Sequence, residues 1–418
     1  MSRISYAAQQ LQIKSFNFKE AIGLLTIALA VLWNPITVWY LHIDSAARIP
    51  LFFFLLSFIL LFKEIGKYTL KRPVTIYLFV AIYMVINGFA NDSGAIYEKN
   101  GNYLILTHIL EPVLTMMIIV VLARKNFAQT IKWMAWILFF FCILCLRNSD
   151  YDDGDRLNSE INANEIAIHC AICFGLFLLM FFRNKGWTSW AFIVFAFVPI
   201  YVIMKTGSRM ALGMATLMIL FAWLSKYGNL NFKNIILIIV FGGVLAYGGN
   251  YILDNTMIGD RLMATTEQGE ELEISTGTIL DYYGDRGLQY YFSWSYFLEN
   301  PVTGIGFHKW QLYSPTEHVC HSEYMVQYVE CGLIAFIPYV FFLLSLFYIL
   351  LSKFRRGKGK KERTTSIILA ALLLSIVFSN SVLWSYNIHA IFIIYGLVFA
   401  YPTYVINNEK RKYLVSFE

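Results

Sequence analysis

Residues 164–182 read NEIAIHCAICFGLFLLMFF, an apolar run in which Glu165 is the one charged side chain. A membrane-spanning helix needs about 20 mostly apolar residues, and this run has that length. Similar runs recur along the chain and predict spans at 20–42, 48–62, 73–91, 103–123, 128–146, 164–182, 187–204, 208–225, 232–252, 330–352, 364–384 and 386–406. The predicted fold is therefore an all-α integral membrane protein with about 12 transmembrane helices.

The composition excludes the soluble globular classes. Of the 418 residues, 58% are hydrophobic and 14% are charged, whereas about a quarter of the residues in a soluble domain are charged. Mean hydropathy is +0.57. In a membrane protein, a net charge of +6 reflects the lysine and arginine residues of the cytoplasmic loops, which orient the chain in the membrane. The charge therefore does not indicate binding to a nucleic acid. The opening residues show no cleavage site, so the first helix is expected to be retained.

The side of the membrane on which each loop lies follows from the distribution of lysine and arginine. The segment KFRRGKGKKER at 353–363 holds seven basic residues against one acidic, which predicts a cytoplasmic loop. Counting spans in both directions puts both termini in the cytoplasm. The other predicted cytoplasmic loops carry the basic residues Lys63, Lys67, Lys71, Arg72, Arg124, Lys125, Arg183, Lys185, Lys226 and Lys233.

The opposite, extracytoplasmic side is polar and acidic. The loop at 147–164 carries five acidic residues against two basic, and the longest break in hydrophobicity, 253–329, falls on the same side. Within that break, residues 288–298 (LQYYFSWSYFL) predict an amphipathic helix in the membrane interface. The chain thus divides into helices 1–9 (1–252), a large extracytoplasmic loop between helices 9 and 10 (253–329), and helices 10–12 with a cytoplasmic tail (330–418).

Two arginines are candidates for binding an anion on the extracytoplasmic side. Arg209 follows Ser208 at the predicted start of the eighth span, where free backbone N–H groups and the helix dipole favour a phosphate. Its alternative role is to extend to the lipid headgroups. Arg286 begins the interfacial helix, and two guanidinium groups can bind a diphosphate bidentately. The alternative for Arg286 is an ion pair with Asp281 or Asp285.

A histidine-rich segment precedes the tenth span. His318 and His321 lie before Glu323 and Glu330, and a helix that begins near Ser322 places His321 at its outer end, facing the arginines. Histidine is the side chain best suited to take a proton from a hydroxyl near neutral pH. The HxxH spacing also fits a pair of metal ligands, but no further His or Cys cluster completes a site, so no metal is predicted.

Amide and carboxylate side chains open the sixth span at Asn162, Asn164 and Glu165. Side chains of these types bind sugar hydroxyls, but helix capping explains them equally well. The two CxxC pairs, Cys142/Cys145 and Cys170/Cys173, lie in apolar runs and are interpreted as helix packing.

Taken in order, these elements resemble the O-antigen polymerase and ligase superfamily of bacterial surface-polysaccharide assembly. Each motif is loose, but their order, spacing and common side are specific. Ser322 stands where asparagine is more usual. The segments that carry the resemblance are the N-x-N-x-x-A type opening at Asn162, the T-G-S-R start at Thr206 to Arg209, Gly284 through Gly304-Ile305-Gly306-Phe307, and the run His321, Ser322, Glu330, Gly332, Leu333.

The resemblance implies a metal-independent, GT-C-like glycosyltransferase without a cofactor, acting on the outer face of the bacterial cytoplasmic (inner) membrane. Its donor would be an oligosaccharide on undecaprenyl diphosphate. Arg209 and Arg286 would bind the diphosphate and His321 would act as the base, supported by Asn162, Asn164, Glu165, His318, Glu323 and Glu330.

Three readings of the function remain open. A polymerase extends a lipid-linked acceptor into O-antigen or capsular polysaccharide, and is preferred because the polar loop around Asn162 suits sugar hydroxyls. A ligase transfers the chain to lipid A-core of lipopolysaccharide. A transporter of the lipid-linked oligosaccharide would place more charged residues at the bilayer midplane. A flippase and a chain-length regulator are the expected protein partners of the enzyme.

Overall fold

The computed structural model describes residues 16–41, 48–91, 101–147, 150–151, 157–158, 162–184, 186–227, 289–290, 292–314, 320, 322–356, 360–381, 383, 386–401, 403–407 and 412–416. The predicted span at 232–252 and most of the predicted loop at 253–329 lie outside these residues, and so do Arg286, His318 and His321.

Helices dominate the described residues, as the apolar runs predict. They are α1 (Phe18–Ile36, continued by a π-helical turn at Thr37–Leu41), α2 (Arg48–Thr69), α3 (Arg72–Ala90), α4 (Gly101–Arg147), α5 (Ala163–Arg183), α6 (Trp187–Thr206), α7 (Arg209–Tyr227), α8 (Gly332–Arg356), α9 (Lys360–Ser379) and α10 (His389–Ala400). Within the described residues, eight of them are long and apolar enough to cross a membrane, and α7 and α10 are shorter apolar helices. The coarse prediction of a helical membrane protein is confirmed, whereas the count of twelve spans stays a prediction.

Helix α4 contains two of the predicted spans, 103–123 and 128–146. Its backbone leaves helical geometry at Asn126, where φ is −150° and ψ is 87°. The Asn126 side chain then accepts a hydrogen bond from the backbone N–H of Gln129 at 3.1 Å, as a helix N-cap does. The short basic stretch Arg124-Lys125 lies at this break, so two spans meet there with almost no loop between them.

The centre of the bundle is formed by α4, α5 and α10. Every residue of α5 from Ile166 to Met180 is buried, and so is every residue of α10 from Ala390 to Ala400. A Cβ on Gly396 would lie 2.9 Å from the carbonyl oxygen of Met116, so α10 can approach α4 closely because position 396 is glycine. In a bilayer this close packing, rather than exclusion of water, holds helices together.

The two ends of the bundle each bring together residues that the topology assigns to one side. At the predicted cytoplasmic end, the Lys125 ammonium lies 2.6 Å from the Glu20 carboxylate and 3.8 Å from that of Glu64. At the other end, Asn87 near the end of α3 bonds to the loop that precedes the tenth predicted span. The assignment of these ends to the cytoplasm and the exterior stays a prediction.

The last predicted span, 386–406, is longer than the helix that forms there. Helix α10 ends at Ala400, Pro402 follows in the sequence, and a strand pair β3–β4 (Thr403–Asn407 with Lys412–Ser416) comes after it. Proline favours an extended residue before it and cannot continue the ladder of helical bonds. A second, two-residue pair, β1–β2 (Asp150–Tyr151 with Leu157–Asn158), lies in the predicted acidic loop.

The predicted interfacial helix is helical where the structure describes it, at residues 292–299. It is one-sided: Ser293 is buried, whereas Trp294 and Leu298 are more than half exposed. The Ser293 hydroxyl lies 2.8 Å from the hydroxyl of Tyr328, which joins this helix to the segment before α8.

Candidate functional site

A glycine-rich loop packs against the segment that leads into α8. Gly304 and Gly306 have φ values of 73° and 111°, which L side chains rarely adopt, so the GxGF sequence forms a tight turn. The backbone N–H groups of Ile305 and Gly306 donate to the carbonyl oxygens of Val329 and Glu330, both at 2.9 Å. A Cβ on Gly304 would lie 2.4 Å from the Glu330 backbone, so the two segments touch through their main chains.

The Glu330 side chain holds the same loop from the other direction. One carboxylate oxygen accepts from the backbone N–H of His308 and the other from that of Trp310, each at 3.0 Å. Glu330 is 4% exposed. Burial raises the pKa of Glu330 to about 8, although these two hydrogen bonds act in the opposite direction. The Glu330 carboxyl group therefore fixes the conformation of the glycine-rich loop just after the GxGF turn.

In the described part of the chain, His308 is the one residue other than glycine with a positive φ, which is 64°. Its Nε2 lies 2.9 Å from the Tyr386 hydroxyl, and its ring packs against Phe307 and, at 6.1 Å between centroids, His108. Burial, with the neighbouring His108, lowers the pKa of His308 to about 3, so its imidazole is neutral at physiological pH. Unusual backbone conformations concentrate at functional sites.

Glu323 joins the start of this segment to the connection between α9 and α10. Ser322 caps the helical turn that begins at Glu323, as the sequence predicts, because its side chain accepts from the Met325 N–H. The Glu323 carboxylate accepts from the Tyr386 backbone N–H at 3.0 Å and from the Gln327 amide at 2.8 Å.

The Ser322 hydroxyl also bonds across to α9. It donates to the carbonyl oxygen of Asn380 at 3.1 Å.

Asn87 ties α3 into the cluster through both ends of its amide. The nitrogen donates to the Thr303 carbonyl at 2.8 Å, and the oxygen accepts from the Phe307 backbone N–H at 2.6 Å. The loop is thus hydrogen-bonded to α3 and to the segment before α8. His308, Glu323, Glu330, Tyr386 and Asn87 form what we call the outer cluster.

A cavity of about 10 Å³ lies inside the outer cluster, lined by His308, Trp310, Gln311, Cys320, Val326, Glu330 and Tyr386. That volume accommodates about one water molecule. The buried indole N–H of Trp310 has no hydrogen-bond partner among the described residues, which a water in this cavity would supply. The cavity is too small for a saccharide.

Arg209 begins α7, two residues after the left-handed Gly207 (φ 63°). Its side chain is exposed, and the Ser208 hydroxyl oxygen lies 3.5 Å from the Ala211 N–H that it caps. The arginine is therefore at a helix N-terminus, as predicted. The structure brings Glu323 and Glu330 into one cluster, whereas Arg209 and Asn162 belong to other helix starts.

The residues that open α5 are arranged as a helix cap. Asn162 accepts from the Asn164 N–H at 2.9 Å. The carbonyl oxygen of Glu165 accepts from Nδ1 of His169 at 2.9 Å. The capping interpretation of Asn162 is thus realised. Sugar binding at Asn162, Asn164 and Glu165 stays a prediction.

Three of the predicted site residues, Arg286, His318 and His321, lie outside the described residues. His308, Tyr386 and Asn87 were not predicted as site residues, and Tyr386 and Asn87 are distant in sequence from the motifs. The signal available for His308 was its position directly after the GxGF turn. For Tyr386 and Asn87 no local pattern distinguishes them from other interfacial polar residues.

No protein-family model matches the chain, and no curated protein matches it.

Proposed function

We propose that the protein is a membrane glycosyltransferase that polymerises undecaprenyl-diphosphate-linked oligosaccharide repeat units on the outer face of the bacterial cytoplasmic membrane. The observation that carries the proposal is the joining of two segments on which the resemblance rests. The GxGF turn at 304–307 bonds to the segment at Glu330 through backbone groups, and the residues just after the turn, His308 and Trp310, donate to the Glu330 carboxylate.

In this proposal the arginines bind the donor. Arg209, with its exposed guanidinium at the start of α7, and Arg286 hold the diphosphate of the lipid-linked saccharide. The acceptor hydroxyl attacks the anomeric carbon, the bond from that carbon to the diphosphate oxygen breaks, and the lipid diphosphate leaves. The guanidinium groups balance the charge that develops on it.

His321 takes the proton of the acceptor hydroxyl as the new glycosidic bond forms. It lies one residue before Ser322 and two before Glu323, both of which are buried and hydrogen-bonded. A reactive group next to a rigid anchor keeps its position, and positioning supplies much of the rate when the leaving group is already activated. The reaction needs no metal, because the arginines supply the positive charge.

A transporter of the same lipid-linked saccharide is the second candidate, and one observation favours it. Glu111 on α4 and His389 at the start of α10 face each other inside the bundle, with Nε2 of His389 3.9 Å from a Glu111 carboxylate oxygen. Ionisable pairs inside membrane spans commonly serve ion or proton pathways. A ligase that uses lipid A-core as the acceptor is the alternative within the enzyme reading.

The test is incubation of the purified protein with a synthetic undecaprenyl-diphosphate oligosaccharide, with and without lipid A-core, in the presence of EDTA. A ladder of products without the core supports a polymerase. Transfer only to the core indicates a ligase. Movement of a labelled substrate across liposomes without lengthening of the saccharide indicates a transporter.

Arg209 variants add a control to the same assay. Arg209→Ala is expected to abolish the ladder at normal protein levels, and Arg209→Lys to restore it poorly, because an ammonium cannot bind two oxygens in a fork. Full activity of Arg209→Ala would mean that the residue only extends to the lipid headgroups. A ladder lost in EDTA and restored by magnesium would contradict the metal-independent mechanism.

A further inference from the structure

A carboxyl group and an imidazole face each other within the membrane-spanning part of the bundle. The Glu111 and His389 side chains are 13% and 15% exposed, and Oε2 of Glu111 lies 3.9 Å from Nε2 of His389. Oε1 of Glu111 is buried and has no hydrogen-bond partner among the described residues. An ionisable pair is costly in this environment, so its presence calls for a functional explanation.

The hydrogen bonds around the pair determine where its protons are. The Thr115 hydroxyl donates its single hydrogen to the Glu111 carbonyl at 3.0 Å. The same hydroxyl lies 2.9 Å from Nδ1 of His389, so its oxygen accepts there and Nδ1 carries a hydrogen. In a neutral imidazole, Nε2 is then bare and faces the Glu111 carboxyl. One proton is accommodated between the two groups, on either the carboxyl or Nε2.

The surroundings of the pair are aromatic and imidazole groups. The His389 ring stacks on Phe54 with centroids 5.9 Å apart and planes at 17°. His108 from α4 and His169 from α5 are the histidines that interact electrostatically with His389. Nδ1 of His169 donates its hydrogen to the Glu165 carbonyl oxygen, so this hydrogen is already used in a hydrogen bond within α5.

His108 neighbours both His389 and His308, and so contacts this pair and the outer cluster. Its Nδ1 is buried without a hydrogen-bond partner among the described residues, and its ring centroid is 6.1 Å from that of His308. His308 in turn bonds to the Tyr386 hydroxyl at 2.9 Å. A row of imidazoles therefore runs from the outer cluster towards Glu111.

We propose that Glu111 and His389 form a site that binds one exchangeable proton inside the membrane-spanning part of the protein, and that His108 connects this site to the outer cluster. The proton enters from the aqueous side through His308 and His108 and is shared between the Glu111 carboxyl and Nε2 of His389. Binding adds one positive charge and forms no other bond. The proposal does not depend on glycosyl transfer, because no saccharide takes part in it.

Infrared difference spectroscopy of the full-length protein in liposomes tests the site directly. Alternating the buffer between acidic and alkaline pH should produce a carbonyl-stretch band of a buried protonated carboxyl that shifts in D2O. The buried Glu330 carboxyl also titrates and contributes its own component to this band. Glu111→Gln should lose a different component, one that Glu330→Gln keeps. Glu299→Gln, at an exposed glutamate in the helix at 292–299, should keep it and serves as the matched control.

Two further variants keep the test decisive. Should Glu111→Gln fold poorly, Glu111→Asp should fold and show the band at a changed frequency. His108→Phe should retain the band at equilibrium but develop it several-fold more slowly after a pH jump. A spectrum of Glu111→Gln identical to that of the wild type would overturn the site, and an unchanged rate in His108→Phe would overturn the connection.

Discussion

Glu330 is buried and Glu111 is half-buried, and the carboxyl oxygens of the two glutamates are used differently. Each oxygen of Glu330 accepts a backbone N–H, from His308 and from Trp310. One oxygen of Glu111 has no partner in the described part of the chain, and the other faces His389 at 3.9 Å. A carboxyl group whose two oxygens both bond to the backbone acts as an anchor, whereas one with an oxygen that bonds to nothing in the described residues is free to bind a ligand or to exchange a proton with a neighbouring group. The outer cluster is thus a support, and the Glu111 pair is a candidate for chemistry.

The largest effect is expected next to the anchored segment, at His321. If Glu330 and Glu323 hold this segment for catalysis, His321→Ala should lower turnover by about 10²- to 10⁴-fold, the range typical of a general base. The thermal-unfolding midpoint should stay near that of the wild type, because both anchors remain. His318→Ala is the matched control. An inactive His318→Ala beside an active His321→Ala would move the base to position 318.

Glu330→Ala should destabilise the protein as well as inactivate it. The backbone N–H groups of His308 and Trp310 would lose their acceptor, and each buried unsatisfied group costs about 1–3 kcal/mol. Glu330→Gln keeps one acceptor oxygen and should lie between Ala and the wild type. Thermal unfolding in detergent measures the order of the three proteins. Equal midpoints would show that Glu330 is no anchor.

The stability of the wild type should depend on pH through Glu330. Burial raises the pKa of this carboxyl to about 8 in the folded protein, so the folded state holds the proton more tightly than the unfolded chain does. The resulting stabilisation is full below the unfolded-state pKa of about 4.5 and is lost as pH rises from there to about 8, a change of up to about 5 kcal/mol in the free energy of unfolding. Unfolding midpoints at several pH values should show this fall in the wild type and a weaker fall in Glu330→Gln.

The smallest effect on stability is expected at the other glutamate. Glu111→Gln removes no hydrogen bond to the protein backbone, so the free energy of unfolding should change by no more than about 0.5 kcal/mol. The same thermal-unfolding assay gives the comparison with Glu330→Gln. A larger loss at Glu111 than at Glu330 would reverse the distinction between anchor and proton site.

The helices were predictable because membrane spans are set by local apolar length. The runs at 73–91, 164–182 and 187–204 correspond closely to α3, α5 and α6. Helix ends depend on residues that hydropathy averages over, which is why the run at 386–406 gives a helix that stops at Ala400. The break of α4 at Asn126 was signalled by the basic loop beside it.

The outer cluster was predictable only in part. The cap at Ser322 and the turn at GxGF are recognisable in the sequence, because capping and backbone preferences are local. The partners of the cluster come from elsewhere in the chain: Asn87 lies 216 residues before Thr303, and Tyr386 lies 63 residues after Glu323. Such pairs arise from tertiary packing. The proximity of Glu111 and His389 could not be predicted for the same reason, although each is an ionisable residue within or at the edge of an apolar run.

Helix α10 has a consequence for how the protein is made. Its 12 residues extend about 18 Å, well short of the roughly 30 Å of hydrocarbon that a span must cross. An isolated segment of this length is a poor substrate for insertion by the translocation machinery, so we expect α10 to enter the membrane by docking onto α4, which is synthesised much earlier. Biogenesis therefore ends with a step that depends on tertiary contacts. Substitutions on the α4 face near Met116, opposite Gly396, should leave the chain with its C-terminal segment uninserted and open to quality-control proteolysis.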